Sequence, residues 1–355
     1  MSTHLSEDQQ LAKIKTAIDR RRCNALRKFA TRGYNFAAQN SAALIHAVAR
    51  DNGFELDIGI IKFLIENGCN PRVENDVVMY HIIRLMNYFG SNVEILLEYL
   101  VEKGCNINNQ NGRFLLTAIE SENWVAFFFL VNSGCNVRCQ NDEALRLTCM
   151  KGRLDAVKCL VDRGCNPRIN NDELLIIAIK HDITTDTMFK YLVEQGCDIG
   201  CQNNLPLMTA AEYDHNFAIE HMIEKKYNVR VENDRALHVA ISRGSNIAAL
   251  SLAEAGYDHV GLLMFLVRTG RVDWLRDLFD GEWSLTAFDS MRQTITPRVQ
   301  DDAALVLAAE NGHVDVMKFL VEHGCDLKKH GQQLFQIAIE KNYANVRAYL
   351  IAMGC

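Results

Sequence analysis

Apolar residues recur along this chain in short bursts, each able to cover one face of a helix, and polar turns separate them. The most regular copy runs from Asp301 to Leu327, DDAALVLAAENGHVDVMKFLVEHGCDL. Ala304 to Ala309 predicts a first short helix, and Asn311-Gly312-His313 a turn. Val314 to His323 predicts a second helix carrying Val316, Phe319, Leu320 and Val321, stopped by Gly324. Neither helix is long enough to hold in water by itself. The unit therefore needs neighbours to cover its apolar face, and copies of it are expected along the chain.

The copies are found by two landmarks. An apolar residue marks each first helix: Ile14, Leu44, Met79, Leu115, Leu145, Leu175, Leu207, Leu237, Leu262, Leu305 and Phe335. A glycine ends each second helix, with Lys226 standing in the eleventh place. The commonest spacing between glycines is 30 residues. From glycine to the next landmark the distance is mostly 11 residues, whereas the stretch from landmark to glycine grows from 19 to 24, 25 and 21 after Leu44, Met79 and Leu175. The turn between units is thus held fixed, while the loop inside a unit absorbs insertions at small entropic cost.

A helix commonly closes on a left-handed residue, which glycine adopts without a Cβ penalty and Lys226 does not. Two residues later stands Asn or Asp, as in Asn70, Asn106, Asn136, Asn166, Asp198, Asn228 and Asp326, where its side chain is expected to bond the turn backbone. Asn75-Asp76, Asn141-Asp142, Asn171-Asp172 and Asn233-Asp234 then suit N-capping of the next first helix. Ser6 to Gln9 reads as a capping box for the very first one.

Leu237-His238-Val239-Ala240, Leu205-Pro206-Leu207, and Ala308-Ala309-Glu310-Asn311-Gly312-His313 followed by Val316, Leu320, Gly324 and Asp326 resemble the ankyrin repeat. The resemblance implies an all-α ankyrin solenoid of about 11 helix-turn-helix units with short inter-repeat turns. The repeats fill residues 9–281 and 301–355, with a lead-in at 1–8 and an insertion at 282–300. The period falls three short of the usual ~33 residues, and the shortfall sits in the turn, so the β-finger of the family is expected to be trimmed. The recurring Gly-Cys-Asn/Asp is similar to the large ankyrin families of giant DNA viruses of amoebae.

Charge and candidate chemistry narrow the function. A net charge of −6 gives no basic footprint for nucleic acid, although Arg20-Arg21-Arg22 makes the first unit basic. No apolar run is long enough to span a membrane, and the start has no secretory h-region. Seven of the twelve cysteines directly follow the helix-ending glycine. Stacked at ~8–10 Å, such positions are too far apart to bridge, and they read as small packed side chains in a reducing compartment, cytoplasmic or nuclear. The pairs Cys135/Cys139 and Cys197/Cys201 lie too far apart to share one metal ion. Glycine-lysine phosphate loops, paired metal-binding histidines and nucleophile elbows are absent. The expectation is therefore a binding protein with no catalytic residue, cofactor, metal, small-molecule substrate or membrane contact. Family likeness puts the partner, a protein and in the viral reading a host factor, on the concave surface. By matching position its contacts fall on the turn residues Arg72, Arg138, Arg168 and Arg230 and the first-helix edge residues Arg146 and Arg235. A second expectation is a substrate-recruiting adaptor for a ubiquitin ligase, using the N-terminus or the 282–300 insertion.

Overall fold

The computed structural model describes residues 5–49, 57–85, 91–181, 187–256, 259–280 and 296–355. Among them are 22 α-helices and no strand, in two compact units, Met1–Pro206 and Leu207–Cys355. The helices come in pairs. Unit one holds α1 (Glu7–Asp19) and α2 (Cys23–Thr31), α3 (Ala38–Val48) and α4 (Ile58–Glu66), α5 (Val73–Leu85) and α6 (Ser91–Glu102). It continues with α7 (Arg113–Glu120) and α8 (Trp124–Asn132), α9 (Cys139–Met150) and α10 (Leu154–Asp162), α11 (Ile169–His181) and α12 (Thr187–Glu194). The division falls inside α13 (Cys201–Glu212). Unit two then carries α14 (Asn216–Glu224), α15 (Val231–Arg243) and α16 (Asn246–Gly256), α17 (His259–Thr269) and α18 (Val272–Asp280). Its last pairs are α19 (Val299–Glu310) with α20 (Val314–Glu322), and α21 (Leu327–Glu340) with α22 (Ala344–Ala352).

First helices pack on first helices, α1 on α3, α3 on α5, α5 on α7, α7 on α9 and α9 on α11, and in unit two α17 on α19 and α19 on α21. The landmark residues Ile14, Leu44, Met79, Leu145, Leu175, Leu262 and Leu305 are 0% exposed at these contacts, and Leu207 on α13 is 0% exposed as well. Each such side chain contributes on the order of 2 kcal/mol by leaving water, which is how helices of 8 to 14 residues persist in this chain. The small residues one turn on, Ala118, Thr148, Ala210, Ala240 and Ala308, are likewise 0% exposed and let the backbones approach.

The capping box forms, with Gln9 N–H on Ser6 Oγ and Ser6 N–H on Gln9 Oε1. The added residues of the three longer loops, and most of the 282–300 insertion, lie outside the described residues. Residues 296–300 belong to the turn and first helical residues of the next pair.

Candidate binding surface

Seven turns between repeats, among the described residues, start as the sequence predicts. The Asn or Asp two residues after the glycine accepts the N–H of the second residue on, at 3.0 to 3.1 Å from Asn70, Asn106, Asn136, Asn166, Asn228 and Asp326 and 2.9 Å from Asp198. The next residues depart from the N-cap expected at the Asn-Asp pairs. Three successive residues take left-handed conformations: Glu74-Asn75-Asp76, Gln140-Asn141-Asp142 and Asn170-Asn171-Asp172, with φ between 47° and 63°. Gln39-Asn40-Ser41 and Gln202-Asn203-Asn204 do the same. Left-handed backbone costs an L-residue ~1–2 kcal/mol, least for Asn and Asp, which accounts for their concentration in these turns.

The third residue of the run recovers that cost. Asp76, Asp142, Asp172 and Asp302 are at most 4% exposed. Each pairs with the arginine four residues earlier: Arg72 at 3.8 Å, Arg138 at 3.4 Å, Arg168 at 3.0 Å and Arg298 at 3.4 Å, joined by Arg230 to Asp234 at 2.9 Å. The carboxylate also reaches the next repeat. Asn166 N–H donates to Asp142 Oδ2 and Asp326 N–H to Asp302 Oδ2, both at 3.2 Å. A glutamine at the first left-handed position adds a second tie, Gln110 Nε2 to Asn75 O at 2.7 Å and Gln140 Nε2 to Asn111 O at 3.0 Å. Burial works to raise the Asp172 carboxyl, but the Arg168 hydrogen bond, the Asp198 N–H and the Cys197 thiol outweigh it and hold the group below the usual carboxylate range.

All twelve cysteines are free thiols. Those after the glycine are packed into the same joint: Cys165 Sγ donates to Val137 O, Cys197 to Pro167 O and Cys325 to Pro297 O. Burial, and then the neighbouring aspartate, pushes Cys105, Cys165, Cys197 and Cys325 up to about 12. They therefore remain protonated and inert at neutral pH.

Not every run ends in an aspartate: Ser41 and Asn204 end two, and Gly112 ends the one after Gln110-Asn111. This glycine holds the third place at φ 80°, and a Cβ there would lie 2.0 Å from Cys139 Sγ. The sulfur fills the space that an aspartate side chain would need.

The six arginines read from the sequence sit on two features. Arg72, Arg138, Arg168 and Arg230 are the braces of their own turns, with side chains 52% to 62% exposed. Arg146 and Arg235 lie on first helices, paired with Glu143 and Glu232, both at 2.7 Å. Sequence reasoning missed the brace and its fifth member, Arg298, although Arg-x-x-x-Asp at a constant place in the repeat was a readable signal. His238 lies in α15, four residues after left-handed Asp234, its ring 4.5 Å from that of Phe265. His313 stands in the turn inside its unit, with Nε2 3.0 Å from Arg268 O.

One donor cluster converges among the described residues, Asp301, Asp302 and His330. Lys329 is ion-paired with Asp301 and Arg298 with Asp302, so cations of the chain already neutralise both carboxylates. No helix among the described residues is long and apolar enough to cross a membrane.

A stack of helix pairs joined by short braced turns, with its polar side chains spent on the joints, is a repeat solenoid. The family model for ankyrin repeats (3 copies) matches residues 115–203, 175–260 and 263–355, which together make up well over half of the chain. The chain belongs to the ankyrin-repeat family. No curated protein matches it. Ankyrin repeats are generally protein–protein interaction modules and typically non-enzymatic.

Proposed function

We propose that the chain is a non-catalytic scaffold that binds a protein partner on the concave face built from turn tips and first-helix edges. The braced turns are the observation that carries this reading. Arg72, Arg138, Arg168 and Arg230 keep more than half of each side chain in solvent, while a buried or largely buried aspartate fixes where each guanidinium stands. A surface ordered before the partner arrives loses less conformational freedom on binding. Arginine is also a residue on which interface energy concentrates. Likeness to the ankyrin families of giant amoebal viruses supports a host protein as the partner, and twelve free thiols suit a reducing cytoplasm or nucleus.

Because the turn arginines also hold their own repeats together, charge reversal there would confuse lost binding with lost folding. The ion pairs of Arg146 and Arg235 reach glutamates three residues away and do not brace a turn aspartate, so the first test uses Arg146→Glu with Arg235→Glu. Capture from amoebal lysate, quantified by mass spectrometry beside a thermal melt of the bait, should lose at least ~10-fold of the specific partner, or about 1.4 kcal/mol. Undiminished capture by a fully folded double variant would remove the arginine edge from the interface.

A further inference from the structure

The first-helix side of unit two carries a groove of about 440 Å³ between α17, α19 and α21. Met264, Val306 and Leu307 form its half-buried apolar floor, and Asp301, Glu310 and His330 stand around it. Its edge differs from that of α9 and α15, while Ile45, Leu116, Ile176, Met208 and Leu263 hold the place of Val306 in other repeats. Val306 occupies the place of Arg146 and His238, and Ala303 the place of Glu143 and Arg235. The charged edge seen on α9 and α15 is thereby replaced by an apolar strip. Glu310, four residues beyond Val306, lies ~6 Å further along the helix axis. It is exposed and has no ion pair among the described residues. At the opposite end Asp301 is held by Lys329, and behind it Asp302 is held by Arg298. The charge left open to the groove is a carboxylate.

We propose that this groove receives a lysine or arginine side chain of the partner, with the methylenes along Val306, Leu307 and Met264 and the cation on Glu310. Long cationic side chains pair an apolar stem with a charged head, and the strip and carboxylate lie one stem length apart. An acidic side chain would meet Glu310 with like charge. A purely apolar one would cover Glu310 without pairing it, at a desolvation cost. The net charge of −6 also steers basic partners toward the chain. The proposal rests on the scaffold reading and names the partner chemistry at one place on that face.

The test needs no partner, so its failure is separable from failure of the capture experiment. Full-length protein labelled with ¹³C-methyl methionine is titrated with N-acetyl-arginine, N-acetyl-lysine, N-acetyl-norleucine and N-acetyl-glutamate methylamides. The Met264 signal is assigned by Met264→Leu. Both cationic probes should shift that methyl and saturate in the millimolar range, at least ~5-fold more tightly than norleucine. Glu310→Gln should bring them down to the norleucine level. Equal shifts from norleucine, tighter binding of the glutamate probe, a response unaltered in Glu310→Gln, or no response from any probe to about 50 mM would each overturn the proposal.

Discussion

The turn at Asn166–Asp172 and the one at Asp326–Gln332 begin alike and end differently. Both follow Gly-Cys, and in both an Asx side chain accepts the N–H two residues on, 3.0 Å at Arg168 and 3.1 Å at Lys328. After Asn166 the chain runs through three left-handed residues and buries Asp172, which grips Arg168. After Asp326 it enters a right-handed helix at once: Asp326 also takes the Lys329 N–H, and α21 runs unbroken from Leu327 to Glu340. Gly331 and Gln332 stand where Asn171 and Asp172 stand, and Gln332 is exposed. The Asx turn alone therefore does not specify the reversal. Where an aspartate holds the third place, its burial, arginine pair and bond to the next repeat offset the left-handed strain, and Ser41 makes the same cross-repeat bond by accepting the Asn70 N–H.

Removing that aspartate should destabilise the protein more than any other change at these joints. Asp172→Ala leaves the Asp198 N–H without its acceptor and Arg168 without its counter-charge, a loss of ~2–3 kcal/mol. Gln332→Ala at the matching place should cost under ~0.5 kcal/mol. Urea midpoints of the two variants measure the gap, and equal losses would mean that the carboxylate is not what holds the turn. The pH dependence sharpens the same contrast. The folded pKa of Asp172 is depressed, so its contribution is fully present above the unfolded value of ~3.9 and is lost as pH falls through the folded one. The stability difference between the wild-type protein and Asp172→Asn should be constant above about pH 5 and close as pH drops below ~4.

Thiol chemistry probes the joint from the side of the cysteines. With Cys165, Cys197 and Cys325 at about 12, on the order of one thiol in 10⁴ is ionised at pH 8. Exposed Cys23 should react first with a disulfide reagent, and the six buried Gly-Cys thiols, Cys69, Cys105, Cys135, Cys165, Cys197 and Cys325, only on unfolding. Fast labelling of Cys165 in the folded protein would show that the joint opens.

Much of this was legible in the residues. Helix pairs, their number and the small residues at their contacts follow from a repeat whose landmarks keep their spacing, because stacking allows little variation there. The Asx turns were legible because an Asn or Asp at a fixed offset has one nearby N–H to accept. The direction of the turn was not legible from local chemistry. Asn141-Asp142 suits an N-cap as well as it suits left-handed backbone, and what selects between them is the Asn166 N–H, 24 residues away in the next repeat. The six arginines were read by matching position, and their ties to Asp76, Asp142, Asp172, Asp234, Glu143 and Glu232, three or four residues away in the chain, were a local signal left unread. The groove over Val306 went unread because three ordinary apolar residues carry no motif.

The smallest expected effect concerns the helix ends, where left-handed backbone occurs without an aspartate to offset it. Lys226 takes φ 59° in the place that Gly164 fills at φ 91°. The two closures are otherwise the same. Lys226 N–H reaches Ile223 O at 2.8 Å and Tyr227 N–H reaches Met222 O at 2.9 Å, as Gly164 N–H reaches Val161 O at 2.9 Å and Cys165 N–H reaches Leu160 O at 3.1 Å. Hydrogen bonding thus cannot distinguish them, and only the Cβ strain of lysine remains. Lys226→Gly should stabilise unit two by about 0.5–1 kcal/mol, the strain relieved less the added freedom of glycine in the unfolded chain. Slower amide exchange at Tyr227 would accompany the gain. A loss of stability would mean that the lysine side chain contributes more at this corner than its backbone costs, and that the strain assigned to the left-handed runs is set too high.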